Sequence, residues 1–169
     1  MKPTNQEYPY QVELFSRNLG LMDFPEDAHI TPIPVSEDLS SLSAILMNDD
    51  YYRFTIDHSR LTDGIHIANI ESLICLKCKA YLEMSESKTC GEQIDSKQIA
   101  KHKKDVFRLA AMLGTAESFV VSKQLSEDIE CFCKAVSDDL PNADFIKAAG
   151  LGRTTGEKLI QQLKNCFIF

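Results

Sequence analysis

The chain reads as an α+β protein, with strands gathered on its N-terminal side and helices filling the rest. Three observations predict this. Gln11 to Arg17 alternates with period two, placing Glu13, Phe15 and Arg17 on one face and Val12, Leu14 and Ser16 on the other. Arg60 to Ala68 reads as two short strands around Asp63-Gly64, the best hairpin signal in the chain. From Ile70 onward the apolar spacing turns helical and largely stays so. The expected division is therefore 1–70 and 71–169.

Taken in order, Lys2 to Pro9 looks like a connector, and Gln11 to Arg17 is the first strand. Asn18 to Pro34 reads as irregular, because Gly20, Pro25, Pro32 and Pro34 break any run. Ser40 to Met47 is a short apolar run that suits a strand or a helix equally. Asn48 can cap a helix over Asp49 to Ile56, with acids in its first turn as the macrodipole favours. After the hairpin, Asn69 or Ser72 opens a helix over Ile70 to Ser87. Asp95 or Ser96 caps the next, Gln98 to Leu113, which Gly114 ends. Phe119 to Val121 reads as a short extended piece and Ser126 to Ser137 as a helix. Ala143 to Ala149 and Thr154 to Phe167 suggest two closing helices. The intervening Gly150-Leu-Gly152-Arg-Thr-Thr-Gly156 matches neither phosphate-loop pattern; a glycine stop followed by a threonine cap explains it.

Two lysines separate by position. At ~100° per residue, Ile70, Leu73, Ile74, Leu76, Ala80, Tyr81 and Met84 crowd one side of their helix, with Lys77 in the middle. A lysine aimed at a core must snorkel, pair with a buried acid, or hold a ligand. Lys79 falls opposite and reads as solvated, with Glu83 four residues on. The following helix sets His102 on its apolar face and Asp105 at the edge. Lys77 and Asp105 form the natural opposite-charge pair between the two helices. The plain alternative is a structural ion pair, with His102 satisfied by a backbone carbonyl.

The 44% hydrophobic and 25% charged fractions are those of a soluble globular protein, and 169 residues suffice for a real core. A net charge of −7 argues against wholesale nucleic-acid coating, so DNA is not an expected partner. Charge is unevenly spread, however: Lys97, Lys101, Lys103, Lys104 and Arg108 make one helix basic. No apolar stretch approaches the ~20 residues of a membrane helix, and no signal-peptide core opens the chain, so the expectation is cytoplasmic. Six cysteines would then be reduced. Cys75 and Cys78 lie inside a helix and Cys131-x-Cys133 has the wrong spacing for zinc, so they read as small hydrophobes.

The runs EYPYQVELFSR, SSLSAILMNDDYYRF, LICLKCKAYLEM and DSKQIAKHKKDVFRLAAML occur in that order between Glu7 and Leu113. Together they resemble the rear part of bacterial nucleotidyltransferase-like proteins of the AbiEii toxin type, within the DNA polymerase beta-like superfamily. The resemblance implies a partial nucleotidyltransferase-like sheet on the N-terminal side, followed by a mostly helical region. It implies three metal-binding acids, two from a Gly-Ser…Asp-x-Asp motif and the third from a later strand, mapping onto Glu13. Such acids hold two Mg²⁺ ions that orient a nucleoside triphosphate. The family's lysine motif maps onto Ile74 to Ala80 with Lys77 as its lysine, and its later Asp motif onto Asp105. With them go His102, Lys104 and Arg108 as candidate nucleotide contacts. The sequence contains no Gly-Ser followed by Asp-x-Asp. The expectation is a truncation, an internal start or one piece of a split protein, inactive alone.

Two functions follow from these readings. One is a nucleotidyltransferase-like protein in which Glu13 binds metal, Lys77 contacts phosphate and Asp105 orients Lys77. The other is a non-catalytic interaction module, self-associating or bound to another protein such as an antitoxin. Exposed edge strands and apolar surface would then need a partner.

Overall fold

In the computed structural model the chain forms two units, Met1–Arg53 and Phe54–Phe169. The structure describes the backbone of residues 13–17, 30–33 and 42–47, and residues 48–114 and 116–169 in full. The connector assigned to Lys2 to Pro9 and the Gln11 and Val12 start of the first strand lie outside these residues.

The first unit holds a three-stranded mixed sheet of β1 (Glu13–Arg17), β2 (Ile30–Ile33) and β3 (Leu42–Met47), in the order β1-β3-β2. β1 runs parallel to β3, with Glu13 opposite Ser43 and Arg17 opposite Met47. β2 runs antiparallel to β3, with Ile30 opposite Ile45. The run that suited strand or helix equally is thus the central strand. β2 lies within the stretch read as irregular. Its Pro32 has no N–H to give, which a strand at the sheet edge tolerates. Asn48 starts α1 (Asp49–Asp57), its Oδ1 accepting from the Asp50 N–H at 2.8 Å.

The second unit opens with the antiparallel hairpin β4 (Ser59–Thr62) and β5 (Ile65–Ala68). Its two-residue turn holds Asp63 at φ 52° and Gly64 at φ 79°, the left-handed pair that suits a tight hairpin. Four longer helices follow, α2 (Ile70–Thr89), α3 (Ser96–Ala110), α4 (Lys123–Ala135) and, after the short α5 (Ala143–Ala148), α6 (Gly156–Cys166). Side chains cap the last four of these five: Asp95 accepts from Lys97 N–H, Ser122 from Leu125, Asn142 from Phe145 and Thr155 from Lys158. Ser122 starts α4 earlier than the expected Ser126. Gly150 and Gly152, at φ 68° and 70°, carry the chain from α5 to the Thr155 cap. β6 (Phe119–Val120) pairs in parallel with β7 (Phe167–Ile168), so Phe167 leaves α6 and becomes strand.

α2 packs against both α3 and α4. The core sits between them, with Ile74, Cys78, Val106, Phe107, Leu125 and Phe132 fully buried. Phe132 meets Tyr81 edge-on at 5.2 Å between ring centroids and Phe107 at 6.1 Å, so one α4 ring touches both neighbouring helices. α6 closes the bundle with Leu159 and Leu163. The architecture is α+β, small separate sheets with a helical majority. No helix among the described residues is long and apolar enough to cross a membrane.

Covering α2 from two sides rotates its buried face from the one expected. The buried positions are Glu71, Ser72, Ile74, Cys75 and Cys78, while Leu73, Leu76, Ala80 and Met84 stay part-exposed. Counting cysteine as apolar moves the stripe to the observed place. Lys77 and Lys79, two residues apart and so about 200° around the helix, flank that stripe on opposite sides. Lys79 is therefore not the solvated lysine expected. It reaches α4, where its Nζ lies 3.5 Å from Asp128, as well as 3.4 Å from Glu83.

Candidate functional site

The packing of α2 on α3 brings three of the candidate residues, Lys77, Asp105 and Arg108, into one chain of polar contacts. Lys77 Nζ of α2 stands 3.9 Å from Asp105 Oδ2 of α3, the outer limit of an ion pair. Arg108 Nη1 is the nearer partner of that carboxylate, at 3.1 Å from Oδ1. Asp105 thus sits between two cations and is held chiefly by the one on its own helix, three residues on. The Lys77 side chain is 32% exposed. It snorkels rather than being buried, and its ammonium keeps donors for an incoming anion.

His102 lies one turn before Asp105 on α3. Its Nδ1 is buried and has no hydrogen-bond partner, so the backbone carbonyl expected for it is not there. Burial pushes its pKa below the usual 6.5, the nearby Lys77 ammonium pushes it further the same way, and Asp105 opposes them. The imidazole is therefore neutral near pH 7 and offers a ligand one N–H and one acceptor, not a positive charge.

Lys104 and Arg108 are solvent-facing. The Arg108 guanidinium also lies 5.4 Å over the Phe145 ring of α5. Beside them Lys103, Lys104, Phe107, Asp139, Leu140, Pro141, Asn142 and Phe145 line a small cleft of about 150 Å³ between α3 and α5. Lys103 is engaged there by the Asp139 carboxylate. Glu13 belongs to the first unit, where it opens β1. Among the described residues no group of three or more His, Cys, Asp or Glu could hold a metal ion, and the Glu13 side chain lies outside them. For a phosphate the fit is better, since Lys77, Arg108 and Lys104 lie on adjoining helices.

A second polar cluster gave no sequence signal. His58 Nδ1 meets the Glu71 carboxylate at 3.1 Å, Asn69 Nδ2 donates to the same oxygen at 3.3 Å, and Phe54 stacks on the imidazole at 4.1 Å. The His58 carbonyl accepts from Asn69 N–H and from Ser72 Oγ. These bonds tie the hairpin to the start of α2, a structural task.

Compared with protein-family models, curated proteins and solved structures, the chain finds no match.

Proposed function

We propose that this chain is a nucleotidyltransferase-like protein whose helical part supplies phosphate contacts through Lys77, with Asp105 positioning it. The observation that carries the reading is the Lys77–Asp105 approach at 3.9 Å. The resemblance selects those two residues from sequences 28 positions apart, and α2 and α3 bring them together. Asp105 is anchored by Arg108, so it can set the position of the Lys77 ammonium without consuming its donors. His102, neutral, offers a directional hydrogen bond beside it. A nucleoside triphosphate would bring its own Mg²⁺, which offsets phosphate charge when three carboxylates hold it. Glu13 maps onto one of those acids, and the sequence has no Gly-Ser…Asp-x-Asp to provide the others, so nucleotidyl transfer is not expected from these residues alone.

Titration calorimetry with the four nucleoside triphosphates tests this. Weak binding is expected in the native chain and its loss in Lys77→Met, with the melting temperature of that variant unchanged within about 2 °C, as for a half-exposed pair of small energetic weight. Absence of binding at millimolar nucleotide would sink the proposal. So would a Lys77→Met variant that binds normally but melts much earlier, because the pair would then be structural.

A second reading, an interaction module, is favoured by one specific observation. The hairpin exposes apolar side chains on both faces, with Leu61 66% and Ile65 67% exposed. Directly opposed residues share a face, so Leu61 sits with His66 and Ile65 with Thr62. Light scattering after gel filtration separates the readings: a monomer at about 100 µM, where such contacts should act, counts against self-association.

A further inference from the structure

α3 carries Lys97, Lys101, Lys104 and Arg108, spaced four, three and four residues apart. That spacing puts all four cations in one stripe about 16 Å long. The stripe faces away from the core side of Val106, Phe107 and Ala110, and all four side chains are exposed. Lys97, Lys101 and Lys104 make no ion pair among the described residues, and Arg108 pairs only with Asp105. Lys103 is off this line and is occupied by Asp139.

The second observation is the cleft, which opens beside Lys104. Its walls are Phe145, Leu140 and Pro141, and Arg108 covers the Phe145 ring. The cleft is open to solvent and its volume of about 150 Å³ leaves room for one six-membered ring. A line of cations with a one-ring slot at its side is the pattern of a groove that tracks a sugar-phosphate backbone and receives a base.

We infer that this face of α3 docks a single-stranded nucleic acid, phosphates along Lys97, Lys101, Lys104 and Arg108, one base in the cleft. A duplex keeps its bases stacked and would leave the slot empty. An acidic protein is the weaker occupant, because protein interfaces centre on apolar anchors and deplete charge there, whereas this stripe has no apolar seam along it. The overall charge of −7 sets the range: at physiological salt the stripe acts within about 8 Å, so the contact is short and local. The inference needs neither Mg²⁺ nor Lys77, although Lys104 and Arg108 are shared with the nucleotide reading.

The test is fluorescence anisotropy of a fluorescein-labelled twelve-uridine RNA with the full chain in EDTA, between about 50 and 200 mM salt. Four phosphate contacts on a single strand predict a log–log salt slope near −2.8, a loss of about 50-fold in affinity over that range. Lys101→Gln should lower the slope to about −2.1 and the loss to about 20-fold. Lys123→Gln, on exposed α4 surface, should change neither, and Lys77→Met should still bind. An oligomer with abasic sites should bind several-fold more weakly. No binding at 50 mM salt, or a slope that Lys101→Gln leaves unaltered, overturns the inference. Equal competition by polyglutamate at matched charge overturns it too, in favour of an acidic protein. A duplex or abasic strand that binds as well as the single strand removes the base from the cleft.

Discussion

At His102 a buried ring nitrogen without a partner meets two cations, Lys77 and Lys101, and one anion, Asp105. Burial makes protonation costly there, so the folded pKa lies below the unfolded 6.5. Above 6.5 the ring is neutral in both states and contributes no pH dependence. As pH falls below 6.5 the unfolded chain takes the proton first, and stability is lost until the folded pKa is reached. The melting temperature of the native chain should therefore fall further between about pH 7.5 and pH 5 than that of His102→Gln. Superimposable profiles for the two proteins would mean that the ring is not held neutral. Gly156 makes a purely steric case. A Cβ there would lie 2.8 Å from Leu140 Cβ and 3.1 Å from Pro141 Cδ, neither of which is the far end of a flexible side chain. Alanine ordinarily gains about 1 kcal/mol over glycine within a helix, but this collision outweighs it. Gly156→Ala should lose about 1–3 kcal/mol in denaturant unfolding. The Lys77–Asp105 approach was legible from residue type and spacing alone. Lys79 was not, because its partner Asp128 lies on a helix some fifty residues away and no local pattern joins them.

Among the elements, α4 decides the bundle, since Phe132 touches α2 through Tyr81 and α3 through Phe107. Phe132→Ala should cost about 3–5 kcal/mol, measured as a shift in denaturant midpoint at constant m-value. A loss below about 1 kcal/mol would mean that the three helices do not share one core. Helix existence was readable because caps and periodicity agree, as with Thr155 opening α6 and Asp95 opening α3. Faces were harder. α2 is packed on two sides, and the stripe drawn through Leu73, Leu76, Ala80 and Met84 misses its buried face because it leaves out Cys75 and Cys78. β2 was hidden by Pro32, which argues against strand anywhere but at an edge, and edges are set by topology rather than by local sequence. β7 was hidden likewise, because only pairing with β6 draws Phe167 out of the helix before it.

For the molecule as a whole, six free thiols report on how the second unit opens. Cys90 and Cys131 are exposed, whereas Cys75, Cys78, Cys133 and Cys166 are buried. Burial raises the pKa of all four buried thiols, with Cys133 pushed up to about 11, so near pH 8 each holds less thiolate than an ordinary cysteine. Ellman's reagent should therefore label two thiols fast in the native protein and four slowly. The four lie on α2, α4 and α6, three helices that meet in one core. If that core opens as one cooperative unit, all four react with a single rate constant that rises with denaturant in parallel with global unfolding. Cys166 is the sensitive member, since it adjoins β7, whose two-residue pairing with β6 holds the chain end. A Cys166 rate well above the other three would show the C-terminal strand fraying before the bundle. A third fast thiol from α2 would show that the α2–α4 contact is loose, and the buried face drawn through Cys75 and Cys78 would have to be abandoned.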